Sequence, residues 1–244
     1  MLGALYNEIF YRPLLNGLVV LTNVLPYHDL GLAVILLTLL VRTILFPFTH
    51  HSIKSQVKMR ELEPAIARIK QDHKDSQEEQ ARRTMALYKE HGVNPFSGCL
   101  ILIIQLPVLI ALYQVFQHGV GPDIAGKLYE GIVAPTNLNT LFLGFIELTE
   151  RSIFIAALAA ITQFFQIKLS IPPTQPTTPG SDTKADFARA LNSQMVYTLP
   201  IVIFFVGLRF PAAVSLYWTT MNVFAIIHEM IVRRKAQRLK ETTA

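Results

Sequence analysis

The sequence predicts an all-α, polytopic membrane protein with five transmembrane helices, an N-terminal interfacial amphipathic helix and a cytosolic helical hairpin. The chain has 244 residues, of which 51% are hydrophobic, a fraction close to that of soluble domains. Its mean hydropathy of +0.37, however, arises from long uncharged runs separated by densely charged segments. These runs approach the roughly 20 residues that a helix needs to cross a bilayer. One soluble core is therefore not expected.

Five apolar runs predict the transmembrane helices. The first, from Leu30 to Phe48, contains one charge, Arg42, and the other four contain none. The third run is short, but Arg151 and Lys168 at its ends can extend their side chains to the headgroup regions. With flanking residues, the predicted spans are 28–50, 95–118, 151–170, 190–209 and 210–232.

The basic residues predict the orientation of these spans. Of the 22 Lys and Arg residues, 17 lie in the segments 49–94, 168–189 and 233–244. Because Lys and Arg mark cytoplasmic loops, we expect a plasma-membrane protein with an outer N-terminus and a cytoplasmic C-terminus. Residues 119–150 then form an extracytoplasmic loop, 171–189 a flexible cytosolic loop, and 233–244 a basic cytosolic tail that anionic lipids can attract. The four basic residues left on the outer side are Arg12, Lys127, Arg151 and Arg209.

Residues 1–27 are predicted to form a helix that lies in the outer interface. Pro13, Asn16 and Asn23 interrupt the apolar pattern, and the tight turn at 26–29 would have to join two complete spans if this segment crossed. The alternative, a sixth span, would move the N-terminus inside and leave the other loops unchanged.

Residues 51–94 are predicted to form the cytosolic helical hairpin. Ser76 and Glu79 have capping-box spacing, in which each bonds the backbone amide of the other, and Gly92 is a suitable helix stop. Pro64 predicts a late start or a kink in the first arm. The hairpin can be a docking arm for a partner or only a solvated spacer.

Catalytic and metal-binding signatures are missing from the sequence. It contains no P-loop, G-x-G-x-x-G, H-E-x-x-H or G-x-S-x-G motif, and the lone Cys99 excludes an internal disulfide. The adjacent His50 and His51 would point about 100° apart on a helix, a poor start for a metal site. A membrane serine hydrolase using Ser97 and His228 lacks an orienting group. We therefore expect no catalytic residue, cofactor or metal.

Polar residues inside the predicted spans are the candidates for function, since ionisable groups in a bilayer are costly. Arg42 lies about 4.5 Å from the middle of its run, toward the cytosol, and Thr38 lies one turn away on the same face. Gln105 and Asn222 fall within about 3 Å of the same depth on two other spans. The fifth span presents a polar face with Ser215, Trp218, Thr219 and Asn222.

These residues predict a polar layer to which water or an acidic ligand has access, because no acidic residue lies deep in any span. Two simpler interpretations stay open. Arg42 can extend toward the cytosolic headgroups, and Gln105 and Asn222 can serve only as hydrogen bonds between packed helices.

At these residues the chain resembles the YidC-type membrane protein insertase family, which has mitochondrial and thylakoid relatives. The matching stretches are YNEIFYRPLLNGL, LLVRTILFP, NPFSGCLILIIQLPVLIALYQVF and FPAAVSLYWTTMNVFAIIHEMIVRR. The resemblance implies a five-helix core and a hydrophilic groove open to the cytosol and the lipid. By motif, the basic residue of that groove is Arg42, and its polar positions are Gln105, Trp218 and Asn222.

The resemblance also implies function and partners. We expect insertion of nascent membrane proteins without nucleotide hydrolysis, with the ribosome as a partner and the Sec translocon and signal-recognition receptor as further candidates. No small-molecule substrate is expected. Two other functions stay open: a small transporter or channel with a polar midplane layer, and a chaperone that acts only on helices already inserted.

Overall fold

The computed structural model describes residues 2–94, 97–118, 122–135, 137–170 and 183–243. Most of them are helical, as the sequence predicts. Ten α-helices occur in these residues: α1 Leu2–Tyr6, α2 Arg12–Val24, α3 Leu30–Ile44, α4 Phe46–Glu61, α5 Glu63–Asp72, α6 Gln77–Glu90, α7 Ser97–His118, α8 Ile153–Ser170, α9 Thr183–Gly207 and α10 Ala212–Thr243. A π turn, Asn7–Tyr11, joins α1 to α2, and 3-10 turns cover Pro26–His28 and Pro122–Lys127.

The chain divides into two compact units, one of residues 1–44 and 105–227 and the other of residues 45–104 and 228–244. The first unit contains the main hydrophobic core. In that core α2 packs against α3, with Leu15, Leu18 and Val19 fully buried. The polar residues that interrupt α2 hold the segment after α7: Asn16 Oδ1 accepts from the Tyr129 backbone N–H at 2.8 Å.

A two-stranded hairpin in the segment 119–150 was not predicted. Strand β1, Leu141–Phe142, pairs antiparallel with β2, Ile146–Glu147. Strands of two residues are too short to give a sequence pattern. Phe142 is 8% exposed and lies directly over Gly31 of α3, where a Cβ atom would come within 2.2 Å of the Phe142 ring. The glycine therefore makes room for the hairpin.

Helices α8 and α9 pack along each other in the first unit. At the end of α9, a Cβ on Gly207 would lie 3.0 Å from the Ala156 Cβ and 2.9 Å from the Ser215 Oγ. The absent side chain allows close approach of three helices. Because Gly207 ends α9 and Ala156 lies near the start of α8, the two helices run antiparallel.

The second unit contains the segment predicted as a cytosolic hairpin. Helix α4 has Pro47 in its first turn, and α5 starts at Glu63 with Pro64 in its first turn, which confirms the predicted break. Helices α5 and α6 pack against each other. Ser76 caps α6, its Oγ accepting from the Glu79 amide at 3.2 Å.

The other half of the predicted capping box is wrong. Instead of returning to Ser76, the Glu79 carboxylate accepts hydrogen bonds from Arg82 Nε at 2.9 Å and Arg83 Nε at 2.7 Å. These bonds, led by the one from Arg82, lower the pKa of Glu79 to about 2. Two charged donors one turn away are stronger partners than one backbone amide.

Polar contacts also join α4 to the last turns of α10 within the second unit. The Glu229 carboxylate accepts from Arg233 at 2.8 Å and from Arg60 at 3.5 Å, and only 6% of its side chain is exposed. His50 Nδ1 lies 3.2 Å from His228 Nε2. His50 therefore faces another imidazole within this unit.

Helix ends differ from the predicted boundaries at three places. The first predicted span, 28–50, contains a break at Leu45, because a new helix starts at Phe46 with Pro47 in its first turn. Helix α9 begins at Thr183, seven residues before the predicted span at 190–209, and helix replaces the end of the predicted loop 171–189. The rest of that loop, 171–182, lies outside the described residues. The predicted tail continues α10 to Thr243.

One described helix, Ile153–Ser170, is by itself long and apolar enough to cross a bilayer. Helices α3 and α4 meet the same criterion only if they are counted together across their break. The other spans, and the interfacial position of residues 1–27, stay predictions.

Candidate functional site

The candidate site is built on α3, α7, α8 and α10 of the first unit. Arg42 lies in the last turn of α3 and is 8% exposed, and Thr38, one turn earlier, is 2% exposed. The Thr38 hydroxyl donates to the Val34 carbonyl at 2.6 Å, so its polarity is satisfied within its own helix. The face of α3 that carries these two residues therefore points into the protein.

Arg42 makes no hydrogen bond or ion pair with another described residue. It interacts electrostatically with Tyr217 of α10. Each unpaired nitrogen of its guanidinium therefore keeps some exposed surface, and the group still reaches open space. A cation that is largely surrounded by protein, yet lacks an acidic partner, is a site that an anionic group can enter.

Tyr217 connects Arg42 to Gln105. The Gln105 Nε2 of α7 donates to the Tyr217 hydroxyl oxygen, and Tyr217 is 2% exposed. Arg42 and Gln105, which the sequence places at similar depth, thus both interact with one tyrosine, Arg42 electrostatically and Gln105 through a hydrogen bond. The third member of that predicted layer, Asn222, bonds to α8 instead.

Trp218 and Asn222 face α8. The indole Nε1 of Trp218 donates to Gln163 Oε1 at 2.8 Å, and Gln163 in turn donates to Gln166 at 3.2 Å. The Asn222 amide lies 3.3 Å from the Thr162 hydroxyl and is 2% exposed. These bonds form a polar line between α8 and α10.

Ser215 and Thr219 complete the predicted polar face of α10, and both are buried. The Thr219 hydroxyl donates to the Ser215 carbonyl at 2.9 Å, and the Ser215 Oγ lies beside Gly207. Both residues therefore serve packing between α8, α9 and α10 in this arrangement.

Three participants were missed by sequence reasoning: Tyr217, Thr162 and Gln163. Tyr217 is not among the polar residues predicted for the fifth span, although a buried tyrosine hydroxyl needs a partner. The third run contains no charge, and none of its residues was predicted as a candidate for function. Its polar run Thr162-Gln163, followed by Gln166, was the signal that could have found the contact with α10.

Within the described ranges, no group of three or more His, Cys, Asp or Glu side chains is arranged to hold a metal ion. The chemistry that the arrangement supports is binding: a single cation, an amide, a phenol and an indole offer electrostatic attraction and hydrogen bonds to a polar guest.

The chain is similar to known membrane proteins over most of its length. A family model described as 60Kd inner membrane protein matches residues 21–240. The chain is 30% identical over 207 residues to proteins named membrane protein insertase YidC from Francisella philomiragia and from Francisella tularensis subsp. novicida. Each alignment covers 85% of this chain and 33% of the relative. The chain thus spans about a third of the length of these curated relatives.

Proposed function

The chain belongs to the 60Kd inner membrane protein family, and from this membership we propose that it is an insertase for nascent membrane proteins. Its relatives are named for that activity. It takes a client's transmembrane segment into the bilayer through a hydrated groove in the cytosolic leaflet. Arg42, Gln105, Trp218 and Asn222 are the principal groove residues, with Thr38, Ser215 and Thr219 supporting the surrounding helices.

The observation that carries this proposal is Arg42. It is 8% exposed, and it has no acidic partner among the described residues. A buried arginine without an acidic partner destabilises a membrane protein unless water and an anionic group of a bound ligand offset the desolvation cost. A client whose polar tail contains Asp or Glu supplies that anion.

Insertion by this route proceeds without nucleotide hydrolysis. The client's tail enters the groove, and its apolar helix leaves sideways into the lipid along α8 and the lipid-facing side of α10. About 20 apolar residues favour the membrane by roughly 6–12 kcal/mol, while each charge at the bilayer centre costs about 2.5–3.5 kcal/mol. The groove needs only to shorten the distance over which those charges cross the hydrocarbon without water.

The proposal includes the setting of the protein. It is a multi-pass protein of the plasma membrane, with the N-terminus outside and the C-terminus in the cytoplasm. Its clients are nascent membrane proteins, delivered by the ribosome, with the Sec translocon and the signal-recognition receptor as further partners. The basic residues near the end of α10 favour contact with anionic lipids.

The experiment is reconstitution of the Arg42→Ala variant in liposomes with single-span clients whose N-terminal tails carry Asp or Glu. A charge-assisted hydrogen bond contributes about 1.5–3 kcal/mol, so insertion should fall at least about tenfold. Arg42→Lys keeps the charge and should retain much of the activity. A client with an uncharged tail should respond much less to Arg42→Ala.

Equal insertion of all clients by the wild type and Arg42→Ala would refute the role of Arg42. Site-specific crosslinking provides an independent check of the groove. A photoreactive residue at position 105 or 218 should crosslink to a client during translation, whereas no crosslink at either position would contradict the route.

A further inference from the structure

The four basic residues that the sequence assigns to the outer side line two pockets. Arg12 and Lys127 line a pocket of about 500 Å³, and Arg151 and Arg209 line one of about 470 Å³. Basic residues are disfavoured in short outer loops. Their placement in pairs, each in a concavity, therefore indicates a local use for positive charge.

The two pockets differ in how their charges are compensated. Arg12 is bonded to Glu8 at 2.9 Å and lies 4.9 Å from the Tyr129 ring centre, and Lys127 lies over the Tyr11 ring. In the described part of the chain, Arg151 and Arg209 form no ion pair. The second pocket is the one with unsatisfied positive charge.

The charge of the second pocket matches one phosphodiester. Its ionisable lining residues are Arg151, Arg209 and Glu150, so two cations oppose one carboxylate and the net charge is +1. Gln117 and Thr149 add polar side chains to the wall. A guanidinium binds phosphate oxygens with two parallel hydrogen bonds, a geometry that ammonium groups cannot match.

Apolar surface continues from both arginines along the helices. Arg151 precedes α8 by two residues, and the exposed side chains Phe154, Ile161 and Phe165 follow one face of that helix. Arg209 comes two residues after α9, whose last turns expose Phe205 (61%) and Ile201 (56%). A headgroup site with two apolar tracks leading away from it has the chemistry of a phospholipid.

We infer that the pocket lined by Arg151 and Arg209 binds the phosphate of an anionic phospholipid, whose acyl chains lie along the exposed faces of α8 and α9. The net charge of +1 selects lipids with a net negative headgroup, such as phosphatidylglycerol, over phosphatidylcholine. The bound lipid fixes the antiparallel α8 and α9 pair at the membrane surface. This site is separate from Arg42 and does not depend on the proposed insertase activity.

The test measures lipid retention by the complete chain, using native mass spectrometry from mixed micelles of phosphatidylglycerol and phosphatidylcholine. The wild type should retain phosphatidylglycerol preferentially. The Arg151→Gln/Arg209→Gln variant should bind it at least about tenfold more weakly, the equivalent of ~1.4 kcal/mol. Lys89→Gln, which removes one exposed charge in the last turn of α6, is the control and should change nothing.

Several results would overturn the inference. These are equal retention of both lipids by the wild type, an equal loss in the Lys89→Gln control, or displacement of the lipid by millimolar inorganic phosphate, which would indicate a site for free phosphate. The wild-type comparison needs no variant, so a failure of the double variant to fold leaves the test decisive. Arg151→Lys/Arg209→Lys, which keeps the charge without the fork, should show intermediate retention.

Discussion

Replacing Gly31 by alanine tests the packing of the β1–β2 hairpin on α3. The new Cβ would lie 2.2, 2.6 and 3.0 Å from three atoms of Phe142, so either the ring or the hairpin must move. Overpacking of this kind costs about 1–3 kcal/mol, and full loss of a buried phenylalanine costs about 3–5 kcal/mol. Alanine is more favourable than glycine in a helix by up to about 1 kcal/mol, which offsets part of this cost. We expect a net loss of stability of about 2 kcal/mol.

The assay is thermal unfolding of the detergent-solubilised chain, followed by circular dichroism. For a chain of this size, about 2 kcal/mol corresponds to a lower Tm by about 4–8 °C. Gly3→Ala is the matched control, since Gly3 is also helical and has no atom within 4 Å of its added Cβ.

The same substitution in a Phe142→Ala chain tests whether the conflict with Phe142 causes the loss of stability. In a Phe142→Ala chain the steric conflict is gone, so Gly31→Ala should no longer destabilise and should raise the Tm slightly. If Gly31→Ala lowers the Tm equally in both backgrounds, the conflict with Phe142 is not the cause and the reasoning is refuted.

Two predictions concern the second unit. Glu229→Gln weakens the hydrogen bonds to Arg60 and Arg233 and should lower the free energy of unfolding by about 1.5–3 kcal/mol. The loss should be seen as faster amide hydrogen exchange in α4. Unchanged exchange would show that the contact contributes little. The pKa of Glu79 is lowered from 4.5 to about 2, mainly by the hydrogen bond with Arg82. The ionised carboxylate therefore stabilises α6 fully above pH 4.5, and this stabilisation is lost as the pH falls through about 2. The Tm difference between the wild type and Glu79→Gln should therefore shrink over that range, and a constant difference would contradict the assignment.

The helical character of the chain and several local signals could be predicted from the sequence. Pro64 and Ser76 mark helix starts through steric and hydrogen-bonding rules that act within one turn. The burial of Arg42 and Thr38 on one face likewise follows from their spacing of four residues.

Contacts between distant segments could not be predicted in the same way. Depth along a span places Asn222 level with Arg42 but does not say which neighbouring helix it faces, and it bonds to Thr162 of α8. The role of Gly31 depends on Phe142, more than a hundred residues later, and nothing in the local sequence around either residue indicates their contact.

The hydrogen bond between Trp218 and Gln163 has a spectroscopic consequence. Trp218 is the only tryptophan in the sequence, so all indole fluorescence of the protein originates in the polar line between α8 and α10. The emission maximum of an indole moves with the polarity around it. Unlabelled protein therefore reports optically on the hydration of this part of the candidate site, without an attached dye.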